Sequence, residues 1–119
     1  MFDIYIINKG VQSGPFNQTQ AEDKLKDYIE KHCYANLRQA MNDVTYGKGK
    51  VTGNYTYDGQ PVLRTSSGNN QKSVSIFFYN TEDSYYIIAM GEHRTLTSYL
   101  LNGFGQTAGD FKFGKTINL

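Results

Sequence analysis

Apolar residues recur along this chain at two different intervals, and the switch between them falls near Gly47. From Gln18 the apolar positions are Ala21, Leu25, Tyr28, Ile29, Cys33, Leu37, Ala40, Met41 and Val44, mostly three or four residues apart. That spacing gathers them on one helical face and leaves Glu22, Asp23, Lys26, Asp27, Glu30 and Lys31 on the other. Gln18–Val44 therefore reads as one amphipathic helix, or two abutting ones with a break around residues 32–35. Asn17 is placed to cap its start, and Gln20 three residues on completes a capping box.

On either side of this segment the period is two. FDIYIIN, from Phe2 to Asn8, alternates as a short strand, and KGVQSGP after it reads as a loop punctuated by Gly10, Gly14 and Pro15. Beyond Gly47, KVTGNYTY and QPVLRT flank Asp58-Gly59, a hairpin signal, and SSGNNQ is a second turn. KSVSIFFY and SYYIIAM flank a third turn, NTED. RTLTSYLLNGFG carries Thr95 as a cap and Gly103 as a stop, which predicts one or two helical turns. DFKFGKTINL predicts a last strand or hairpin.

Strand, helix and then a run of strands give an α+β fold in a single domain spanning residues 1–119. An N-terminal helical segment is expected to pack on one face of an antiparallel β-sheet meander formed mainly by residues 51–90. Leu25, Ile29, Cys33, Leu37 and Met41 should meet the face that carries Val74, Ile76 and Phe78. The opposite face would hold Phe77, Tyr79 and Tyr85. It is either a second small core covered by the C-terminal segment or a floor on which rings and bases stack.

Composition refines this picture. Apolar residues make up 39% and aromatics 14%, so the chain is globular rather than disordered. Ten Tyr, seven Phe and no Trp exceed what a core of this size takes in buried hydroxyls, so several tyrosines are expected on a contact surface. A single cysteine, Cys33, excludes an intrachain disulfide, and its place in the helical pattern reads as a buried small hydrophobe rather than a nucleophile. No apolar run approaches the roughly 18 residues of a membrane span. MFDIYIINKG lacks a charged leader and a small-residue cleavage site, so neither a signal peptide nor a membrane partner is expected. The net charge is only +1, but from Val44 to Thr81 the cations Lys48, Lys50, Arg64 and Lys72 stand against Asp58 alone. That stretch predicts a modest positive patch rather than a basic arm.

Candidate chemistry concentrates where the greasy strand YYIIAM ends in Gly91, Glu92, His93 and Arg94. Histidine can take and give protons near neutral pH, and arginine can clamp a phosphate bidentately. The bland alternative is a loop histidine beside a solubilising charge. GKGK, from Gly47 to Lys50, has neither the length nor the spacing of a phosphate-binding P-loop. Its lysines instead begin a strand where they could face a polyanion. His32, in mid-helix beside Lys31, reads as structural. No CxxC, HExxH or GxSxG is present, so neither a metal nor another cofactor is expected.

The order of a helical segment, a strand meander and then FFYNTEDSYYIIAMGEHR is similar to the RelE-like ribonuclease toxins of the wider barnase–EndoU–colicin–RelE group. The pieces that match are SIFFY, NTEDS, YYIIAMG and the basic pair HR, and the closing FKFGKTINL resembles the last strand of such domains. The resemblance implies His93 and Arg94 at the cleavage site, with Thr97 or Tyr99 completing the constellation. It also implies an RNA path lined by Lys48, Lys50 and Arg64, with Lys72 the fourth cation of that stretch. RNA, with tRNA among the candidates, would be the substrate, a cognate antitoxin or immunity protein the partner, and the cytoplasm the place of action. The end KTINL and the net charge of +1 depart from the family pattern and favour free RNA or tRNA over a ribosome-bound substrate. The competing reading is a small protein-binding module, such as an immunity protein or a phage-encoded inhibitor of a host defence protein, which the same tyrosines and near-neutral charge suit. Convergence of the cations with His93 and Arg94 in one cleft would favour the nuclease; scatter would favour the binder.

Overall fold

The computed structural model describes residues 3–8, 11–29, 31–57, 59–68, 73–93 and 99–102. Two strands come first, β1 (Asp3–Asn8) and β2 (Val11–Phe16), then the helices α1 (Gln18–Leu25) and α2 (Tyr34–Thr45). Five strands follow: β3 (Lys50–Tyr57), β4 (Gln60–Ser67), β5 (Val74–Asn80), β6 (Ser84–His93) and β7 (Tyr99–Asn102). The strands form one sheet in the order β2-β1-β6-β5-β4-β3, with β7 paired to β6. All pairings are antiparallel except β1–β6. The fold is thus α+β with the helices on the sheet, as the change of period implies.

The helical segment is divided rather than continuous. Asn17 accepts from the Gln20 backbone N–H at 2.8 Å, and the Gln20 side chain accepts from the Asn17 N–H at 3.0 Å, which is the expected capping box. After Leu25 the chain tightens into 3₁₀ turns at Lys26–Tyr28 and Lys31–Cys33, with Ile29 extended between them, before α2 begins. The break is therefore wider than residues 32–35 and starts earlier. It lets α1 lie against β1 and β2 while α2 crosses β4 and β5. A polar clip joins the two helices. Glu22 is buried and accepts from Arg38 Nε at 3.1 Å and from Gln18 Nε2 at 3.0 Å.

Leu25, Cys33, Leu37, Ala40, Met41 and Val44 are fully buried against Val74, Ile76 and Phe78. Ile29 is only half-buried at the margin of this core, because its backbone has left the helix. The opposite sheet face is buried as well, through Val62, Phe77, Tyr79 and Ala89. The C-terminal segment expected to cover it lies outside the described residues.

Three sequence expectations are corrected here. Residues 11–16 are not a loop but edge strand β2, whose bulge places Gly14 at φ +121° with its Cα hydrogens against the Ile4 carbonyl. An edge strand tolerates Pro15 because, among the described residues, one rim of its ladder has no strand to pair with. Tyr99–Asn102 is a strand, not a helical turn, and completes the edge of β6 that β1 leaves open beyond Ile87. Finally, Phe77 pairs with Ala89 but Phe78 with Ile87, so β6 holds one extra residue there and its alternation shifts. Tyr85 consequently lies on the helix face, where its hydroxyl donates to the Thr45 carbonyl at 3.4 Å. Tyr86 takes the other face and stacks between Tyr79, with centroids 4.7 Å apart, and Tyr5, at 5.0 Å. Part of the tyrosine excess is thus a ladder across β5, β6 and β1. Desolvation, then the Asp3 carboxylate, the Tyr86 hydroxyl and the Asp83 carboxylate raise the Tyr5 pKa above the ordinary tyrosine value.

Candidate nucleic-acid interface

The end of α2 determines where the basic residues fall. Gly47 adopts φ +75°, so the chain reverses left-handed at the first residue past the cap. The Gly47 N–H donates to the Val44 carbonyl at 3.2 Å and the Lys48 N–H to the Asp43 carbonyl at 2.9 Å, the two bonds of a Schellman motif. Gly49 then passes over the Phe78 ring so closely that a Cβ would lie 2.5 Å from a ring carbon. The two glycines of GKGK are therefore spent on the turn and the close pass, and Lys48 and Lys50 are left exposed beside them.

Lys50 is the first paired residue of β3 and stands opposite Arg64 of β4. Past Arg64, β4 continues to Ser67 with no partner residue from β3. A groove of about 300 Å³ opens there, lined by Asp43, Lys48, Lys50, Arg64, Thr65 and Ser66. Thr65 fixes its floor, since the buried hydroxyl donates to the Ala40 carbonyl at 3.0 Å and ties β4 to α2. Gln39 Nε2 donates to Asp43 Oδ1 at 3.1 Å and steadies the acidic wall.

Electrostatically this is an unusual place to put cations. Like charges at directly opposed positions of an antiparallel pair are destabilising, and Lys50 faces Arg64 with Lys48 close by. The Asp43 carboxylate lines the same groove, so an anionic group already stands among these cations. Arg64 is half-buried and so presents a guanidinium held by its surroundings rather than a freely waving one.

The residues singled out in the sequence are distributed as follows. Lys48, Lys50 and Arg64 come together in the groove. His93 closes β6 and is paired with Tyr99 at the start of β7. Since β5 lies between β4 and β6, the backbone of His93 is at least roughly 10 Å across the sheet from β4. Arg94, Thr97 and Lys72 lie outside the described residues. Sequence reading did not include Asp43, Thr65 or Ser66, and it passed over Tyr46. For Thr65 and Ser66 there was no signal beyond adjacency to Arg64. For Tyr46 the signal was an aromatic directly ahead of GKGK. Among the described residues no group of three or more His, Cys, Asp or Glu side chains could hold a metal ion, and no helix is long and apolar enough to cross a membrane. Compared with known proteins, the chain matches no family model, no curated protein and no solved structure.

Proposed function

We propose that this protein is a metal-independent ribonuclease that holds RNA phosphates in the Lys48–Lys50–Arg64 groove. What supports this reading is the convergence of those three cations in one groove; the backbone of His93 stands outside that groove, across β5 from β4, so the convergence holds for the cations and not for the histidine. In the proposed reaction the RNA 2′-hydroxyl attacks the adjacent phosphorus. A base takes its proton, the P–O2′ bond forms and the P–O5′ bond breaks. An acid protonates the departing 5′-oxygen, leaving a 2′,3′-cyclic phosphate and a 5′-hydroxyl. His93 serves as base or acid, Arg94 stabilises the phosphorane, and Thr97 or Tyr99 assists. The substrate would be free RNA or tRNA met in the cytoplasm, and an antitoxin or immunity protein would restrain the enzyme.

A second reading, a protein-binding module, draws on β2, an edge strand whose residues from Val11 to Pro15 are all exposed, Val11 at 69%. Such an edge can accept a partner's strand. The two readings separate on one assay. Purified tRNA and total RNA are incubated with the protein from about pH 5 to about pH 9, with and without EDTA. The nuclease reading expects cleavage that chelator leaves unchanged and that His93→Ala abolishes while the circular dichroism spectrum is retained. Arg94→Lys should rescue Arg94→Ala only partly, because a point charge does not reproduce a bidentate clamp. Full activity in His93→Ala, or a strict need for a divalent ion, overturns the mechanism. No cleavage of any RNA transfers the assignment to the binding module.

A further inference from the structure

We infer that Tyr46 is a base-stacking platform and that it restricts the groove to unpaired RNA; this rests on the reading of the groove as an RNA track. Tyr46 is 75% exposed, and among the residues whose burial is described Val11, on edge strand β2 at the other side of the sheet, is the other large apolar side chain left so open. Exposing a tyrosine ring contributes nothing to the fold, and the helix stop requires no aromatic at this position, because Gly47 and the two turn bonds supply it.

Its location is specific. Tyr46 caps α2, with its N–H donating to the Asn42 carbonyl at 2.9 Å. It lies inside the turn that the Lys48–Asp43 bond closes, and both Asp43 and Lys48 line the groove. Tyr46 is not itself part of the groove lining, but its backbone is held beside the groove, between two lining residues, by the three hydrogen bonds of the turn, and its ring is exposed there. A tyrosine has two side-chain torsions to immobilise, so little entropy is lost when a flat partner settles on it.

An aromatic beside a phosphate-binding track is the arrangement that grips single strands, since any unpaired base offers a π-face. A duplex hides those faces in its own stack, and an A-form groove does not deliver them to a side chain. Asp43 fits the same ligand. A carboxylate among cations opposes a bare phosphate, but it accepts a hydrogen bond from the exocyclic amino group of a base.

The chain contains no tryptophan, so Tyr46→Trp introduces a single indole reporter at the rim. Three RNA probes of one length are titrated against it: an adenosine single strand, an adenosine–uridine duplex and an abasic single strand. We expect saturable quenching of the indole by the adenosine strand alone. By anisotropy, Tyr46→Ala should weaken the adenosine strand about five- to hundredfold and leave the abasic strand unchanged. Tyr46→Phe should bind as the wild type does. Because Tyr46 is exposed, all three variants should melt with the wild-type profile, which excludes misfolding as a cause. If both single strands bind but Tyr46→Ala loses nothing, or the duplex binds as tightly as the single strand, the platform is refuted while the cationic groove stands. If no probe binds the wild-type protein, both fall together.

Discussion

At the scale of single residues, the groove depends on groups that carry no charge. GKGK resembles a phosphate-binding loop only superficially, and its glycines have unrelated tasks. Gly47 supplies a positive φ at the end of α2, and Gly49 lets the backbone press on Phe78. The lysines protrude because the glycines cannot. Gly49→Ala should therefore be damaging despite its small size. The new methyl group would sit 2.5 Å from Phe78 Cζ and 3.2 Å from Leu63 Cβ, so either the ring or the start of β3 must move. A loss of about 1–3 kcal/mol in urea-induced unfolding is expected, the range for overpacking a fitted core. Gly47→Ala has open space around it and should lose only about 1 kcal/mol, through the left-handed backbone alone. Equal losses at the two positions would show that the contact with Phe78 is not the constraint.

At the scale of elements, the sequence was most legible where a long pattern repeats and least where a few residues decide. The capping box, the β3–β4 and β5–β6 hairpins and the apolar stripe of α2 were all readable, because each follows from local spacing. The two edge elements were misread. In residues 11–16 a glycine and a proline signal a loop, yet at a sheet edge the same pair makes a bulged strand. In YLLN four residues satisfy either period, and the vacant edge of β6 decides the outcome. The position of Ile29 illustrates the limit of counting by threes and fours, since the pattern runs on through a segment that is no longer helical. The consequence is measurable. Ile76→Ala, fully buried under α2, should cost about 2–5 kcal/mol, whereas Ile29→Ala at the margin of the core should cost clearly less, about 1–2 kcal/mol. Chemical denaturation of both variants checks the ranking, and the reverse order would place Ile29 inside the core.

At the scale of the whole molecule, a net charge of +1 says little about the field that a ligand meets. The sequence showed a cation-rich stretch, but not that Lys48, Lys50 and Arg64 share one groove. That depends on β3 starting only at Lys50, so that β4 runs on past it with β5 on one side and no β3 residue on the other. If these three side chains each neutralise one phosphate of a single strand, the logarithm of the affinity should fall against the logarithm of salt concentration with a slope of about −2, or about −0.7 per contact. Lys48→Ala and Lys50→Ala should each reduce that slope by about 0.7, equally for every RNA sequence, and neither should disturb an exposed surface. Tyr46→Ala should behave oppositely and lower the affinity at all salt concentrations with the slope unchanged, because stacking releases no counterions. Anisotropy titrations of an adenosine strand over a range of salt concentrations resolve the two effects. A slope that survives the loss of Lys50 would mean that this lysine touches no phosphate, and the Asp43 carboxylate in the same groove would then be the anion that balances it.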